Sequence, residues 1–218
     1  MPIWKELPRA CIFDLDGTLV NSLRDIAEAL NDCLDLLGLP GHPQDAYRYM
    51  VGEGVPLLCR RAIGRSHPHL VARLIELARP RYRVRPMTHT RPYPGIAALV
   101  ERLHGGGVPL AVLSNKPDEI TRAMVAAFFP RGEFREVHGY RAEALRKPDP
   151  TVALRIAAAL DCPPGDAWLI GDTPTDVETA QRAGMRCVAV TWGFRTRADL
   201  AAAGAEIMID HPDELLGG

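Results

Sequence analysis

The stretch ACIFDLDGT, Ala10–Thr18, decides how the rest of the chain is interpreted. Its first four residues form a continuous apolar run, which is typical of a strand buried on both faces of a parallel sheet. Asp14 and Asp16 follow directly. Two neighbouring carboxylates are unfavourable unless a cation or a proton lies between them, and ligands bind at the carboxyl ends of strands in open parallel sheets. The pair therefore indicates a functional site, although Asp-Gly alone is also common in solvated turns.

Similar short apolar runs recur along the chain, and helix-period segments lie between them. The further runs are Pro109–Leu113, Trp168–Ile170, Cys187–Val190 and Glu206–Ile209. The helical segments are Gly95–Leu103, Asp118–Phe128, Asp149–Leu160 and Pro174–Ala183. Alternation of buried strands with helices predicts an α/β fold with a doubly wound, mainly parallel sheet.

One long segment breaks this alternation. From about Ser22 to Arg85 the apolar residues recur at helical spacing, beginning with Ile26, Leu30 and Leu34, and no strand is evident. Prolines and arginines at 79–86 predict an extended connector at its end. We therefore expect a core formed by residues 1–20 and 87–218, and a helical insertion formed by residues 21–86.

Three later segments carry polar groups that suit phosphate and metal chemistry. Ser114 and Asn115 follow an apolar run, where a hydroxyl and a helix N-terminus can hold a phosphoryl oxygen. Lys147 lies in Arg-Lys-Pro-Asp-Pro, and Asp172 and Asp176 follow another strand and suit a hard divalent cation. Each segment also has an ordinary structural interpretation as the beginning of a helix.

Taken in order, these four segments resemble the motifs of the haloacid dehalogenase-like (HAD) superfamily of phosphohydrolases. The resemblance spans nearly the whole chain, and the helical insertion is similar to the C1-type cap of that superfamily. Three further segments resemble the phosphoglycolate phosphatase-like branch: Met50–Gly54, Pro92–Gly95 and Thr191–Phe194. The chain departs from the usual pattern at Asn21, Thr173 and Glu53, of which only Glu53 bears on substrate preference.

The resemblance implies a role for each acidic residue at the strand ends. Asp14 is expected to be the nucleophile, and Asp16 the general acid and base. Mg²⁺ is expected to bind the Asp14 carboxylate, the Asp16 backbone carbonyl and Asp172.

The resemblance also implies a phosphate site. Ser114, Asn115 and Lys147 are expected to bind the phosphoryl group. Asp176 is expected to act as a second acidic partner, either through water to the metal or by orienting Lys147.

The implied activity is Mg²⁺-dependent hydrolysis of a small anionic phosphomonoester through an aspartyl-phosphate, with 2-phosphoglycolate as the first candidate substrate. Pyrophosphate, sugar phosphates and nucleotide monophosphates remain alternatives, as does a non-catalytic binding module with the same fold. A substrate carboxylate needs a cationic partner, and Arg48, Arg60 and Arg61 of the cap are candidates. Most arginines in so arginine-rich a chain are nevertheless solvated.

Composition excludes several other classes. The chain has 218 residues with 26 basic and 27 acidic side chains, so its net charge of −1 gives no electrostatic basis for binding nucleic acid or a membrane surface. Five cysteines without a CxxC pair, and a beginning without a signal-peptide core, predict a cytoplasmic protein. The sequence specifies no oligomeric state.

The scarcity of lysine excludes rival chemistries. The only lysines are Lys5, Lys116 and Lys147. None follows glycine, as a P-loop requires, and none lies in residues 20–90, where a Schiff-base hydrolase of this superfamily needs one. No serine fits GxSxG, and Ile26 stands where the β-phosphoglucomutase branch places histidine.

Overall fold

The computed structural model describes residues 8–84 and 87–217, with the side chains at positions 82–84 excepted. The described residues contain eight strands: β1 (Ala10–Phe13), β2 (Val20–Asn21), β3 (Arg91–Pro92), β4 (Leu110–Pro117), β5 (Phe134–Tyr140), β6 (Ala167–Gly171), β7 (Arg186–Val190) and β8 (Met208–Ile209). Six of them form one parallel sheet in the order β5-β4-β1-β6-β7-β8. This confirms the predicted α/β fold.

The same residues form eight α-helices: α1 (Leu23–Asp35), α2 (Val55–Ile63), α3 (Val71–Val84), α4 (Ile96–Gly105), α5 (Asp118–Phe128), α6 (Thr151–Ala159), α7 (Pro174–Ala183) and α8 (Arg197–Ala202). None of the helices within the described ranges is long and apolar enough to cross a bilayer.

Burial on both faces explains the continuous apolar run of β1. Cys11 and Phe13 pack into one apolar cluster of the core, while Ala10 and Ile12 pack into another. Successive side chains of a strand point to opposite faces, so the two clusters lie on opposite sides of the sheet. All four residues are 0% exposed. Strand β1 is therefore the centre of the core, with β4 hydrogen-bonded on one side and β6 on the other.

Helices α1, α2 and α3 share an apolar cluster of their own. Ile26, Leu30 and Leu34 of α1 are buried there at the spacing that predicts an amphipathic helix, and Gly38 follows with φ of +69°. The predicted domain boundaries stay predictions. The inserted segment does contain a separate cluster of buried side chains, which we call the cap cluster.

One local expectation was wrong and one strand was missed; the last two residues of the expected connector, 85 and 86, lie outside the described residues. The segment from Arg79 to Val84 is not extended, because α3 continues through it with Pro80 inside the helix. Leu74 and Ala78 lie on the buried face of this helix. Burial of that face stabilises the helix by more than the loss of one backbone hydrogen bond at Pro80 destabilises it. Strand β5 was not predicted, because this edge strand is only partly buried and its sequence, Phe-Arg-Glu-Val-His-Gly-Tyr, contains no continuous apolar run.

A short ribbon joins the inserted helices to the core. Strands β2 and β3 pair antiparallel where the chain leaves the core and where it returns. Asp25 of α1 strengthens this junction, because its carboxylate accepts hydrogen bonds from the backbone N–H groups of His89 (3.1 Å) and Thr90 (2.8 Å) and from the Thr90 hydroxyl (2.6 Å). One side chain therefore fixes the first inserted helix to the returning strand.

We expect Asp25→Ala to lower the free energy of unfolding by about 2 kcal/mol, because it removes a charged acceptor shared by three donors. Asp35→Ala is the matched control, since Asp35 is an exposed residue of the same helix and its removal should change stability by less than about 0.5 kcal/mol. Urea unfolding of both variants measures the difference. Equal effects of the two substitutions would contradict the role assigned to Asp25.

Candidate active site

The central strands bring the predicted site residues together. Asp14 follows β1, Ser114 lies near the end of β4, and Asp172 follows β6; these three strands are neighbours in the sheet. The backbone N–H of Asp14 donates to the Ile170 carbonyl at 2.8 Å, which extends the pairing of β1 with β6 up to the first carboxylate. The residues therefore meet at one edge of the sheet, as parallel strand ends require.

Lys147 reaches this edge from the loop before α6. Its ammonium group donates to Asp14 Oδ1 at 2.8 Å and to Asp176 Oδ1 at 2.6 Å, and its side chain is 3% exposed. Asn115 fixes the lysine backbone, because Asn115 Oδ1 accepts from the Lys147 N–H at 2.8 Å and Asn115 Nδ2 donates to the Lys147 carbonyl at 3.0 Å. The side-chain amide of Asn115 thus positions Lys147, while its predicted contact with phosphate stays a prediction.

The other two carboxylates are held by donors from the surrounding loops. Asp172 accepts from the Thr18 hydroxyl at 3.0 Å and from the Phe194 backbone N–H at 2.7 Å. Asp176 lies in the first turn of α7 and accepts from the N–H and hydroxyl of Thr173 at 3.1 and 2.7 Å. The helix-capping interpretation of this segment is therefore correct, and it coexists with a carboxylate facing the site.

Two glycines allow the approach to Asp172. Gly17 has φ of +97°, and a Cβ atom there would collide with the Asp172 carboxylate. A Cβ atom at Gly193 would collide with the same side chain. Glycine is required at both positions because each backbone lies against the carboxylate.

Charge is the main property of this cluster. Carboxylate oxygens of Asp14, Asp172 and Asp176 lie within 4.8 Å of one another, and all three residues are buried. Three carboxylates and the ammonium of Lys147 leave a formal charge of −2. Burying uncompensated charge is costly, and a divalent cation would neutralise this one. Buried oxygen ligands in this number suit a hard divalent ion.

Protonation equilibria reflect the same excess of negative charge. Burial raises the pKa of Asp14 to about 7, although Lys147 partly opposes the shift. Burial, together with the charges of Asp14 and Asp176, raises the pKa of Asp172 well above its usual range. Burial alone would lower the pKa of Lys147, but the two carboxylates outweigh it and raise that pKa. Lys147 therefore neutralises the three carboxylates only in part, and the lysine itself stays protonated.

Asp16 faces a different group. Its carboxylate accepts from Lys116 Nζ at 3.0 and 3.1 Å and from the Ser22 hydroxyl, and its side chain is 12% exposed. It lies outside the three-carboxylate cluster, as expected if only its backbone carbonyl contacts a metal. Sequence reasoning missed the contact with Lys116; the available signal was that one of only three lysines falls in the β4 motif.

A small cavity lies between this edge of the sheet and the inserted helices. Its volume is about 40 Å³, which is room for roughly three waters, and it is partly open to solvent. Val51, Val55 and Leu58 line it from the cap, whereas Asp14, Asp16, Ser114 and Lys116 are among the residues that line it from the core. Asn115 Nδ2 also donates to the Gly52 carbonyl of the cap at 3.0 Å, so the cap is closed over the core.

The loop after β7 fastens the cap. The Phe194 side chain is buried in the cap cluster, although its residue belongs to the core segment. The guanidinium of Arg195 donates to the carbonyls of Arg48 and, at 2.9 Å, Val51. In return, Arg48 donates to the Gly193 carbonyl at 3.1 Å. These exchanged hydrogen bonds, which we call the arginine latch, join the cap to the loop that also holds Asp172.

The cap arginines predicted to meet a substrate carboxylate lie elsewhere. Arg48 is part of the arginine latch, Arg61 pairs with Glu53 and with the Met50 carbonyl, and Arg60 is exposed. None of them is among the described residues that line the cavity. Their predicted role gains no support from these positions.

Comparison with known proteins agrees with this architecture. Residues 11–190 match the family described as haloacid dehalogenase-like hydrolase, so the chain belongs to that family. Its phosphoglycolate phosphatase-like character follows from two relatives, both named phosphoglycolate phosphatase. The protein from Rhodospirillum rubrum is 36% identical over 94% of this chain and 88% of its own. The one from Aquifex aeolicus is 34% identical over 85% and 86%. The chain is thus a phosphatase of the phosphoric monoester hydrolase class.

A solved structure shows the same fold over nearly the whole chain. The protein from Lactobacillus delbrueckii subsp. bulgaricus superposes with a TM-score of 0.90 at 30% identity, covering 96% of this chain and 97% of that one. The match includes both the core and the inserted helices.

We expect Arg195→Gln to loosen the cap, because the buried guanidinium supplies two charged hydrogen bonds that glutamine cannot reproduce. Hydrogen exchange of the backbone amides in residues 48–54 should accelerate by at least about tenfold, as the local opening free energy falls. Arg197→Gln is the matched control, because Arg197 forms an exposed pair with Asp210. Unchanged protection of residues 48–54 in Arg195→Gln would show that the latch does not hold the cap.

Proposed function

We propose that this phosphatase hydrolyses a small anionic phosphomonoester, 2-phosphoglycolate first among them, with Mg²⁺ and through an aspartyl-phosphate on Asp14. The observation that carries the proposal is the buried cluster of Asp14, Asp172 and Asp176 with Lys147, whose formal charge is −2. It lies beside a small cavity between the core and the cap.

The first step requires a carboxylate to approach a phosphate dianion. Lys147 reduces this repulsion because its ammonium group lies 2.8 Å from Asp14 Oδ1 and can also contact phosphoryl oxygens. Mg²⁺, held by Asp14, Asp172 and the Asp16 backbone carbonyl, would neutralise further charge on the transferring group. An oxygen of Asp14 then forms a bond to phosphorus as the ester P–O bond breaks.

Asp16 is proposed to manage the proton in both steps. In the first, its carboxylic acid donates a proton to the leaving alkoxide. In the second, the resulting carboxylate takes a proton from water as the water oxygen attacks phosphorus and the bond to Asp14 breaks. The Lys116 ammonium lies 3.0 Å from the Asp16 carboxyl group and fixes its orientation.

The small size of the cavity favours a small leaving group. Its apolar wall from the cap, formed by Val51, Val55 and Leu58, leaves little space beyond the phosphoryl site. A glycolate unit is compact enough for such a space, and the two relatives carry the corresponding name.

A neighbouring groove favours sugar phosphates as the second candidate. It offers about 450 Å³, is open to solvent, and shares Val55 and Pro117 with the small cavity. A sugar could extend into it once the cap moves. This alternative keeps the chemistry and changes only the leaving group.

A steady-state panel tests the substrate. We expect phosphoglycolate to give a kcat/KM at least about tenfold above those of a sugar phosphate, pyrophosphate and a nucleoside monophosphate, since the differences lie in the leaving-group pocket. Chelation of Mg²⁺ should abolish all activity, and Asp14→Asn should lower kcat by at least about 10³-fold.

The panel separates the parts of the proposal. If phosphoglycolate is among the poorest substrates, the substrate is wrong while the reaction class stands. Activity that survives chelation would overturn the metal, and full activity of Asp14→Asn would overturn the nucleophile.

A second measurement tests the metal site through stability. Asp172→Asn removes one buried negative charge while its amide can still bond Thr18 and the Phe194 N–H, so we expect the metal-free variant to unfold about 3 °C above the wild type. Mg²⁺ should raise the Tm of the wild type and leave that of Asp172→Asn unchanged, because a ligand stabilises only the state that binds it.

Glu206→Gln is the matched control, since it removes an exposed negative charge outside the site. Its Tm should rise with Mg²⁺ as the wild type does. An undiminished Mg²⁺ response in Asp172→Asn would exclude Asp172 as a ligand.

A further inference from the structure

A carboxylate on the substrate needs a cationic partner in the cavity, and the described cap residues that line it supply none. The cap contributes apolar side chains to the cavity, and an anion next to them is unfavourable unless a positive charge is within contact distance. Among the described residues that line this cavity, Lys116 is the one with a positive charge. Lys147, the other lysine of the site, contacts Asp14 and Asp176 and is not among the lining residues.

The surroundings of Lys116 fix where its charge lies. The residue is near the end of β4, and its side chain is 6% exposed. Its Nζ atom lies 3.0 and 3.1 Å from the two carboxylate oxygens of Asp16. The long side chain is therefore directed toward the general acid rather than toward solvent.

The position of the general acid determines the position of the leaving group. If Asp16 protonates the bridging oxygen, that oxygen lies within hydrogen-bond distance of the Asp16 carboxyl group. In phosphoglycolate a single methylene separates the bridging oxygen from the carboxylate. A group beside Asp16 is consequently beside the substrate carboxylate as well, and Lys116 Nζ is such a group.

We propose that Lys116 binds the carboxylate of the substrate and is the residue that selects phosphomonoesters with an anionic group one carbon from the ester oxygen. This inference rests on the proposed function, and it names the residue that carries its specificity. An ammonium group has three N–H donors, so it can bridge Asp16 and a substrate carboxylate at the same time.

The selectivity has a physical source in the burial of both partners. A charged hydrogen bond in a water-excluded site is stronger than the same bond in water. An ester that has a methyl group in place of the carboxylate cannot form the hydrogen bond to Lys116. The Lys116 ammonium group then contacts only Asp16 and no anionic group of the substrate. Discrimination by Lys116 therefore acts through the binding of the leaving group and not through the phosphoryl group.

The test compares phosphoglycolate with ethyl phosphate, which has a methyl group in place of the carboxylate. For the wild-type protein we expect kcat/KM for phosphoglycolate to exceed that for ethyl phosphate by about 30-fold, a ratio typical of one charged hydrogen bond. In Lys116→Gln the ratio should fall to about 1, mainly because the KM for phosphoglycolate rises. Lys116→Arg should retain part of the preference, because it keeps the charge.

Arg61→Gln is the matched control. It removes a cap cation that contacts Glu53 and the Met50 carbonyl, and the preference for phosphoglycolate should survive it. The ratio of the two substrates is insensitive to the fraction of correctly folded protein, so a poorly folded variant does not imitate the expected result.

Three other results would overturn parts of this account in different ways. A wild-type protein without preference for phosphoglycolate over ethyl phosphate would remove the proposed substrate, and with it the role of Lys116. A wild-type preference that persists in Lys116→Gln would leave the substrate standing and refute the role of Lys116. Equal losses of kcat for both substrates would show that Lys116 acts only on Asp16.

Discussion

The structure depends on one buried ion pair network, in which the ammonium of Lys147 lies between Asp14 and Asp176. Without this cation the cluster would bury three carboxylates against one another at the carboxyl ends of the central strands. The pairing is incomplete, since one negative charge in excess of neutrality would remain even after one carboxylate took up a proton. Excess buried negative charge of this kind costs stability, and a bound cation would compensate for it.

Much of the surrounding chain serves to hold these charges in place. Asn115 bonds both backbone groups of Lys147, Thr173 bonds Asp176, and Thr18 bonds Asp172. The strands contribute residues to the site only at or near their carboxyl ends. Each charged group thus has a neutral partner that is itself part of, or directly next to, a turn, strand or helix end of the core.

The sequence predicted the parts of the molecule whose signals are local. Helices α5 and α7 begin and end where their periodicity indicates, and Ala10–Phe13 is a buried strand. Asp14, Asp172, Asp176 and Lys147 were named from short motifs, and the structure places them side by side, while their roles stay predictions. Contacts between distant segments could not be predicted in this way. The pairing of Lys116 with Asp16 and the donation from Arg195 to Val51 join residues 100 and 144 positions apart, and no local pattern indicates which residues meet. The extended connector was predicted wrongly for a related reason: tertiary burial of α3 outweighs the local tendency of Pro80 to end a helix.

The burial of Phe194 within the cap cluster means that the two parts of the protein do not form separate modules. Its ring completes the apolar interior of the inserted helices, while its backbone N–H bonds Asp172. The inserted helices, if expressed alone, would therefore have a gap in their interior. Their transfer to another core of the same family would require the loop after β7 to be transferred with them. If the cap of this protein were exchanged with that of a relative, Phe194 would stay with the core. The new cap would therefore have to fit an aromatic side chain that it does not itself supply.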